Sequence, residues 1–259
     1  PVFSLGNRVW FDTNNDSLIT ISEVGVNGVR VQLFASDGTT EILVGLDGIL
    51  GTADDAAGGM LTANGGYYRF NNLLAGDYIV ALPATNFGAA AVLAGYWSSA
   101  TTRTPAGLII ETIADLANTD TDSNDNGTSQ PGGSVISSVV TLGPAITSEP
   151  SAETDLGPGG QGQPDAQANM TVDFGFYTIQ VGNLVWNDAN NNGLFDGAET
   201  GINGVDVQLW SADGTTLINT VTTAGGGLYN FSGLPQGNYI VRIPASEFHP
   251  GGTVRDFIS

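Results

Sequence analysis

The sequence predicts an all-β chain built as two tandem β-sandwich modules. Three observations carry this: one long motif occurs twice, apolar and polar residues alternate in short runs, and tight-turn dipeptides separate the runs. Leu5-Gly6-Asn7-Arg8-Val9-Trp10 matches Val181-Gly182-Asn183-Leu184-Val185-Trp186. The register holds to Val29, Val31 and Leu33 against Val205, Val207 and Leu209.

Each element follows from local chemistry. Val29, Val31 and Leu33 alternate with Arg30 and Gln32, which is the period of a half-buried strand, and Val205, Val207 and Leu209 repeat it. Asp37-Gly38 and Asp213-Gly214 tolerate positive φ and predict turns. The first copy then carries an insertion around Asp47 to Gly59. Matching resumes at Tyr68 and Phe70 against Tyr229 and Phe231, then at Tyr78-Ile79-Val80 against Tyr239-Ile240-Val241. No stretch has apolar residues at helical spacing; the nearest, Leu108 to Leu116, has an Ile-Ile-Glu-Thr-Ile core that favours a strand.

After Phe87 the first copy continues into a tail: a polar loop from Asn118 to Gly133, a strand-like run from Val135 to Leu142, and a Gly/Pro/Gln-rich linker from Gly143 to Ala168. Met170 to Phe176 alternates as a closing strand. The modules are therefore read as residues 1–178 and 179–259, and the short junction between them predicts a stiff rod. The second copy has no counterpart of the closing strand. Either the chain continues past Ser259, which is the first expectation, or another subunit supplies the strand. Neighbouring copies would then be partners through strand donation or end-to-end contacts. Without an initiator Met or a signal peptide, the chain reads as a mature product or a fragment.

Both copies carry an acidic loop after the Trp. In Asp188 to Glu199 the pattern D-x-[DN]-x-[DN]-G-x5-E is met without a mismatch; in Asp12 to Glu23 it is met except that Ser17 replaces Gly. Oxygen-bearing side chains at loop positions 1, 3, 5, 9 and 12 can wrap one Ca2+. The candidate ligands are Asp188, Asn190, Asn192, Asp196 and Glu199 with the Leu194 carbonyl, and Asp12, Asn14, Asp16, Thr20 and Glu23 with the Leu18 carbonyl. A solvated Asx-rich turn is the competing reading. Ser17 at a sharp turn carries strain if φ is positive there, so the Asp188 loop is expected to hold Ca2+ more tightly.

A third acidic run, with Asp120, Asp122 and Asn124, starts like a calcium loop but has Pro131 at position twelve. It is either a metal site completed by a distant carboxylate such as Glu149, Glu153 or Asp155, or a flexible acidic loop. The insertion with Asp47, Asp54 and Asp55 has the same two readings, a surface hairpin being the plainer.

Composition narrows the function. Six Arg, no Lys and 26 acidic residues give a formal charge of −20, which repels nucleic acid and anionic membranes. Apolar runs are too short to span a membrane as helices. No Cys, a single His249 expected at the surface, no phosphate-binding glycine loop and no nucleophile elbow speak against an enzyme. Trp10 and Trp186 could stack sugars, but beside a loop at matched strand positions they read as core. The sequons at Asn126, Asn169 and Asn230 arise readily by chance in an Asn-rich chain.

Together, Val185-Trp186-x-Asp188-x-Asn190-x-Asn192-Gly193, Gly201-Ile202-x-Gly204-Val205, Gly227-x-Tyr229-x-Phe231 and Leu234-Pro235-x-Gly237-x-Tyr239 resemble the B-repeat modules of serine-aspartate-repeat surface proteins, which are related to collagen-adhesin B domains. The resemblance covers nearly all of the second copy. In the first it covers residues 5 to 87 and Thr171 to Phe176. It implies transthyretin- or immunoglobulin-like sandwiches, Ca2+ in EF-hand-like loops, and a stalk or spacer role outside the bacterial cell. Many collagen-adhesin-type domains carry a Lys–Asn isopeptide bond; without Lys this chain cannot form one, and without Cys it has no disulfide. Calcium is then the remaining staple. The expected function is a calcium-stabilised extracellular stalk, matrix or filament segment. The alternative is an adhesin module whose enlarged first copy binds a glycan or matrix protein.

Overall fold

The structure is a computed structural model that describes residues 1–112, 114–116, 123–143, 149–197 and 199–257. Among these residues the regular structure is strand, joined by three single-turn 3-10 segments, and no α-helix occurs. Two compact units form: residues 1–101 with 111–177, and residues 102–110 with 178–259.

In the first unit, Phe3–Phe11 is the organising strand. It pairs antiparallel with Tyr67–Leu73 and parallel with Ala168–Asn169 and Phe174–Tyr177, and Trp97–Ser98 pairs with the last of these. A second sheet runs Met60–Leu61, Arg30–Ala35, Gly76–Leu82, Val135–Ile136, Thr128–Ser129, with Val140–Leu142 also on Gly76–Leu82. One continuous core is lined by both sheets: Phe3, Leu5, Val9, Phe70, Phe174 and Phe176 from the first, Val31, Leu33, Val80, Leu82 and Val140 from the second. Burial of so many large apolar side chains is what holds the sheets together.

The second unit repeats the framework in smaller pieces. Ile179–Leu184 pairs with Leu228–Leu234, Trp186–Asn187 with Thr200–Gly201, and Asp206–Ser211 lies between Leu217–Thr222 and Tyr239–Arg242. Its fully buried apolar cluster is small: Val207, Leu209, Phe231 and Leu234. The segment Thr102–Ile110 belongs to this unit. Thr102 and Arg103 pair in parallel with Gln236 and Gly237, and Pro105 O accepts from Asp213 N at 3.1 Å.

The Gly-[IV]-Asn-Gly-Val segment is built the same way in both units. Asn27 Oδ1 accepts from Gly65 N and Gly66 N at 2.9 Å, and Asn203 Oδ1 accepts from Gly226 N and Gly227 N at 2.9 and 2.7 Å. Gly25 and Gly201 lie flat against those glycine turns, where a Cβ would meet the carbonyls of Gly65 and Gly226. Thr62 Oγ1 donates to Val26 O, and Thr223 Oγ1 to Ile202 O.

Several expectations are met. The Ile109–Glu111 strand forms, Trp10 is fully buried, and His249 is exposed. The run from Val135 to Leu142 is two short strands, both on Gly76–Leu82. The Gly/Pro/Gln-rich linker is pinned rather than loose. Asp155 accepts from Arg8 Nη1 at 2.8 Å and from the Tyr67 hydroxyl, and the Gly159 carbonyl accepts from Arg69. Burial first, then the Asp155 bond, pushes the Tyr67 hydroxyl pKa up to about 12. Its glycines explain why composition misleads: their backbone carbonyls still accept hydrogen bonds from side chains elsewhere.

Gly175 of the closing strand lies against Trp10, where an added Cβ would come within 2.7 Å of the indole ring. Gly175→Ala should therefore destabilise the first unit by about 1–3 kcal/mol through overpacking. Urea unfolding measures this; an unchanged midpoint would mean the strand is not seated on Trp10.

Candidate metal centres

The two loops share one set of backbone N–H bonds to their own side chains, partner for partner. In the first, Asp16 N donates to Asp12 Oδ1 and Asn14 Oδ1, Ser17 N to Asp12 Oδ2, and Leu18 N to Asp16 Oδ1. In the second, Asn192 N donates to Asp188 Oδ1 and Asn190 Oδ1, Gly193 N to Asp188 Oδ2, and Leu194 N to Asn192 Oδ1. The closing glutamate ties both ends of each loop. Glu23 accepts from Thr13 N at 2.8 Å and Thr20 N at 2.9 Å; Glu199 accepts from Ala189 N at 2.9 Å and Asp196 N at 3.3 Å. Two residues in each loop take positive φ, Asn15 and Ser17 in one, Asn191 and Gly193 in the other. The strain expected at Ser17 is thus present, with φ of 63°.

In these contacts the side chains of loop positions 1, 3, 5 and 12 accept from backbone N–H groups of the same loop, and position 9 contributes its backbone N–H to the closing glutamate. The donor set is all oxygen, the chemistry that suits Ca2+ rather than a softer ion. Among the described residues no group of three or more Asp, Glu or His side chains is placed to hold a metal on its own. The amide, hydroxyl and carbonyl oxygens of Asn14, Thr20, Leu18, Asn190, Asn192 and Leu194 would have to share the work with the carboxylates. In the second loop Asn190 Nδ2 and Asn192 Nδ2 both donate to Asp196 Oδ2 at 3.0 Å. The N–H of Gly193 is the main cause of holding the Asp188 carboxyl below its ordinary range.

The loops differ in what surrounds them. Asp12 and Glu23 are buried, at 0% and 6% exposure, whereas Asp188 and Glu199 are half-buried. Ser99 Oγ donates to Asp12 Oδ2 at 2.7 Å, Asp12 N donates to Phe176 O at 2.8 Å, and Ala100 N donates to Asn15 Oδ1 at 2.7 Å. The tail then crosses the loop: Ile19 N donates to Ser123 O, and Asp125 N to Ser17 O at 3.0 Å. Asn124 faces Leu18 across an isolated bridge. The second loop has instead Phe195, edge-on to Trp186 at 6.2 Å.

Of the third acidic run, Asp120 and Asp122 lie outside the described residues. Asn124 lies beside the first loop, its Nδ2 on Asp115 Oδ2 and its buried Oδ1 without a hydrogen-bond partner among the described residues. The carboxylates that could complete such a site are engaged elsewhere: Glu149 with Gly143 N, Glu153 with Met170 N, and Asp155 with Arg8. In the insertion, Asp47, Asp54 and Asp55 gather around the Thr52 hydroxyl, which lies 2.7 Å from Asp54 Oδ1.

Ser99, Asp125 and Asp173 were not legible as site residues. Asp125 is buried, and its Oδ1 accepts from Gly127 N and Gly175 N at 3.2 and 2.9 Å. Burial pushes its carboxyl well above the ordinary range, and the backbone N–H groups of Gly175 and Gly127 pull against that. Asp173 Oδ1 accepts from Arg8 N, and Asp173 N donates to Asn126 Oδ1. The DN-rich composition of 120–126 marks the neighbourhood of Asp125, and nothing local marks Ser99 or Asp173.

A family model described as "SdrD B-like domain" matches residues 3–96 and 179–253. Serine-aspartate repeat-containing protein F of Staphylococcus epidermidis is 29% identical over 250 residues, which is 95% of this chain and 11% of that protein. Serine-aspartate repeat-containing protein D of Staphylococcus aureus is 28% identical over 255 residues, 98% of this chain and 14% of that protein. The chain therefore spans only 11–14% of the length of these relatives. A streptococcal ancillary pilin structure overlaps 93% of this chain and 52% of its own, at 12% identity and a TM-score of 0.35.

Because Asp12 is buried and satisfies Ser17, Asp16 and Ser99 together, Asp12→Ala should destabilise the first unit by about 3 kcal/mol even in excess EDTA. Asp188→Ala, at a half-buried site, should cost clearly less. Urea unfolding of both variants decides; equal losses would show that burial does not distinguish the loops.

Proposed function

The chain belongs to the SdrD B-like domain family, and on that premise we propose that it is a calcium-stabilised structural segment of a bacterial surface stalk, matrix or filament. The observation that carries this reading is the shared hydrogen-bond pattern of the two loops, in which the closing Glu23 and Glu199 each accept from both loop ends. Ca2+ would be held by Asp12, Asn14, Asp16, Thr20, Glu23 and the Leu18 carbonyl, and by Asp188, Asn190, Asn192, Asp196, Glu199 and the Leu194 carbonyl. Asn124 borders the first set. We read the units as transthyretin- or immunoglobulin-like sandwiches, in keeping with the two-sheet core of the first. Family membership favours an extracellular surface module over an enzyme.

Mechanically, the ion would tie the strand before each loop to the segment after it, Phe3–Phe11 to Val26 and Ile179–Leu184 to Ile202. Lacking Lys and Cys, the chain has no isopeptide or disulfide route to the same end. Metal bound only to the folded state contributes about 2.7 kcal/mol per site at a hundredfold excess over Kd.

The order of affinity is expected to follow rigidity. Ser17 carries backbone strain, but its N–H is held by Asp12 and its carbonyl by Asp125 N. Protein contacts fix that strained turn, so its cost falls on folding rather than on metal binding. The braced Asp12 loop should then outlast the Asp188 loop as calcium is withdrawn, reversing the order the motif alone suggests. EDTA should lower the melting temperature, and a chelator titration followed by loop-specific NMR signals should show the Asp188 loop emptying first. An EDTA-insensitive melt would remove the metal mechanism; loss from the Asp12 loop first would remove only the ranking.

A further inference from the structure

One patch of sheet is built on the same register in both units. In the first, Gln32 lies opposite Ala81 and Phe34 opposite Ile79; in the second, Gln208 lies opposite Arg242 and Trp210 opposite Ile240. Three of these four positions keep their chemistry. The fourth does not: Arg242 stands where the first unit has Ala81. In the second unit that arginine has a definite seat, its guanidinium carbon 4.6 Å from the centroid of the Trp210 ring. Trp210 Nε1 donates to Gln208 Oε1 at 3.0 Å, which ties the ring to the sheet.

In the first unit the same place is a groove of about 310 Å3. Gln32 and Phe34 line one side, Ile79 and Ala81 the floor, and Ile136 the other side. The floor is low because Ala81, set between Gln32 and Ile136 across three strands, carries only a methyl group. No charged side chain lines the groove, but two carboxylates adjoin it. Glu41 Oε1 accepts from Gln32 Nε2 at 2.9 Å, and Asp37 precedes Gly38 on the rim. The Thr40 hydroxyl, then the N–H groups of Thr40 and Thr39, lower the Asp37 pKa to about 2, so it is ionised at neutral pH. Arg30, two positions before Gln32 on the strand, is drawn away to Gly58 O at 2.7 Å.

We propose that this groove is a docking site for an arginine side chain of a basic partner protein, which stacks on Phe34 as Arg242 stacks on Trp210. A guanidinium suits it better than an ammonium. It is planar, weakly hydrated and stacks on aromatic faces, while its methylene stem can cover Ile79 and Ile136. Charge selects the partner: a net −20 attracts a basic protein and opposes a second copy of this chain. The chain's own Arg8, Arg30, Arg69, Arg103 and Arg242 are already engaged within it. The inference rests on neither calcium binding nor a stalk role.

The test uses the whole chain in excess calcium at ~0.15 M salt, where exposed charges more than about 8 Å apart are screened. The probes are a blocked Gly-Arg-Gly peptide, its citrulline analogue, which is neutral and nearly the same shape, and a Gly-Leu-Gly peptide. Backbone NMR should show saturable binding of the arginine peptide by ~10 mM, with shifts confined to residues 32–38, 79–84 and 131–136. The citrulline and leucine peptides should bind at least about fivefold more weakly. Ala81→Arg should fill the groove from within, bring its guanidinium protons close to the Phe34 ring, and abolish binding. Phe34→Leu, which keeps the groove apolar, should weaken the arginine peptide at least about threefold. Equal binding of the citrulline or leucine peptide would overturn the proposal, since the groove would then be an apolar pocket without selectivity for charge. So would no saturation by ~10 mM, shifts centred on the acidic loops, or undiminished binding by Phe34→Leu or by a folded Ala81→Arg chain.

Discussion

Each loop is held by a carboxylate that reaches back across it. Glu23 takes backbone N–H groups from both ends of its loop, Thr13 and Thr20, and is itself buried at 6% exposure. The strand that ends at Phe11 and the segment that starts at Gly25 therefore leave the loop at fixed positions. Val26 N can reach Val9 O at 2.8 Å, and Asn27 can cap the Gly65-Gly66 turn that precedes the next strand. Glu199, Ile202 and Asn203 perform the same steps in the second unit. Charge-assisted bonds to backbone N–H groups suit this role because they are stronger than neutral ones and leave no buried donor unmet.

Around that common centre the units diverge by how much chain covers them. In the first, Ser99, Phe176 and the Ser123–Asp125 tail all bond to the loop, which turns a surface motif into part of the interior. Covering carboxylates has a cost. Asp125 is enclosed near Asp12 and Glu111, and burial raises its pKa well above the ordinary range. The cover is tolerable because backbone N–H groups of Gly127 and Gly175 meet the Asp125 oxygen. The strand that supplies Gly175 is thus partly an electrostatic device.

What the sequence disclosed was whatever depends on neighbours in sequence. Alternation at Val29, Val31 and Leu33 gave a strand because side chains point to opposite faces. The hydrogen-bonded form of the two loops is legible because its partners lie within twelve residues of one another, and the internal repeat ties two weak signals into one. Contacts made across long separations left no local trace. Ser99 on Asp12, Asp173 on Arg8 and Asp155 on Tyr67 each join residues far apart in the chain, and Ser or Asp at those positions looks like any loop residue. The grouping of Thr102–Ile110 with the second unit has the same origin: its pairing partners, Gln236 and Gly237, lie more than a hundred positions away.

The closing strand shows why edge and loop should be considered together. Phe174–Tyr177 pairs with Phe3–Phe11, and its last carbonyls continue past the strand end to take Asp12 N, the first residue of the loop. Asp173, just before it, accepts from Arg8 N on the strand and from Ser123 N on the tail that crosses the loop. Seating that strand therefore fixes Asp12, the first residue of the loop, and the loop's cover at once. Groups in one bonded network reinforce each other, so the rigidity of the loop and the closure of the sheet are a single property of the first unit. In the second unit Asp188 is half-buried, and among the described residues the matching strand Ile179–Leu184 pairs on one side only.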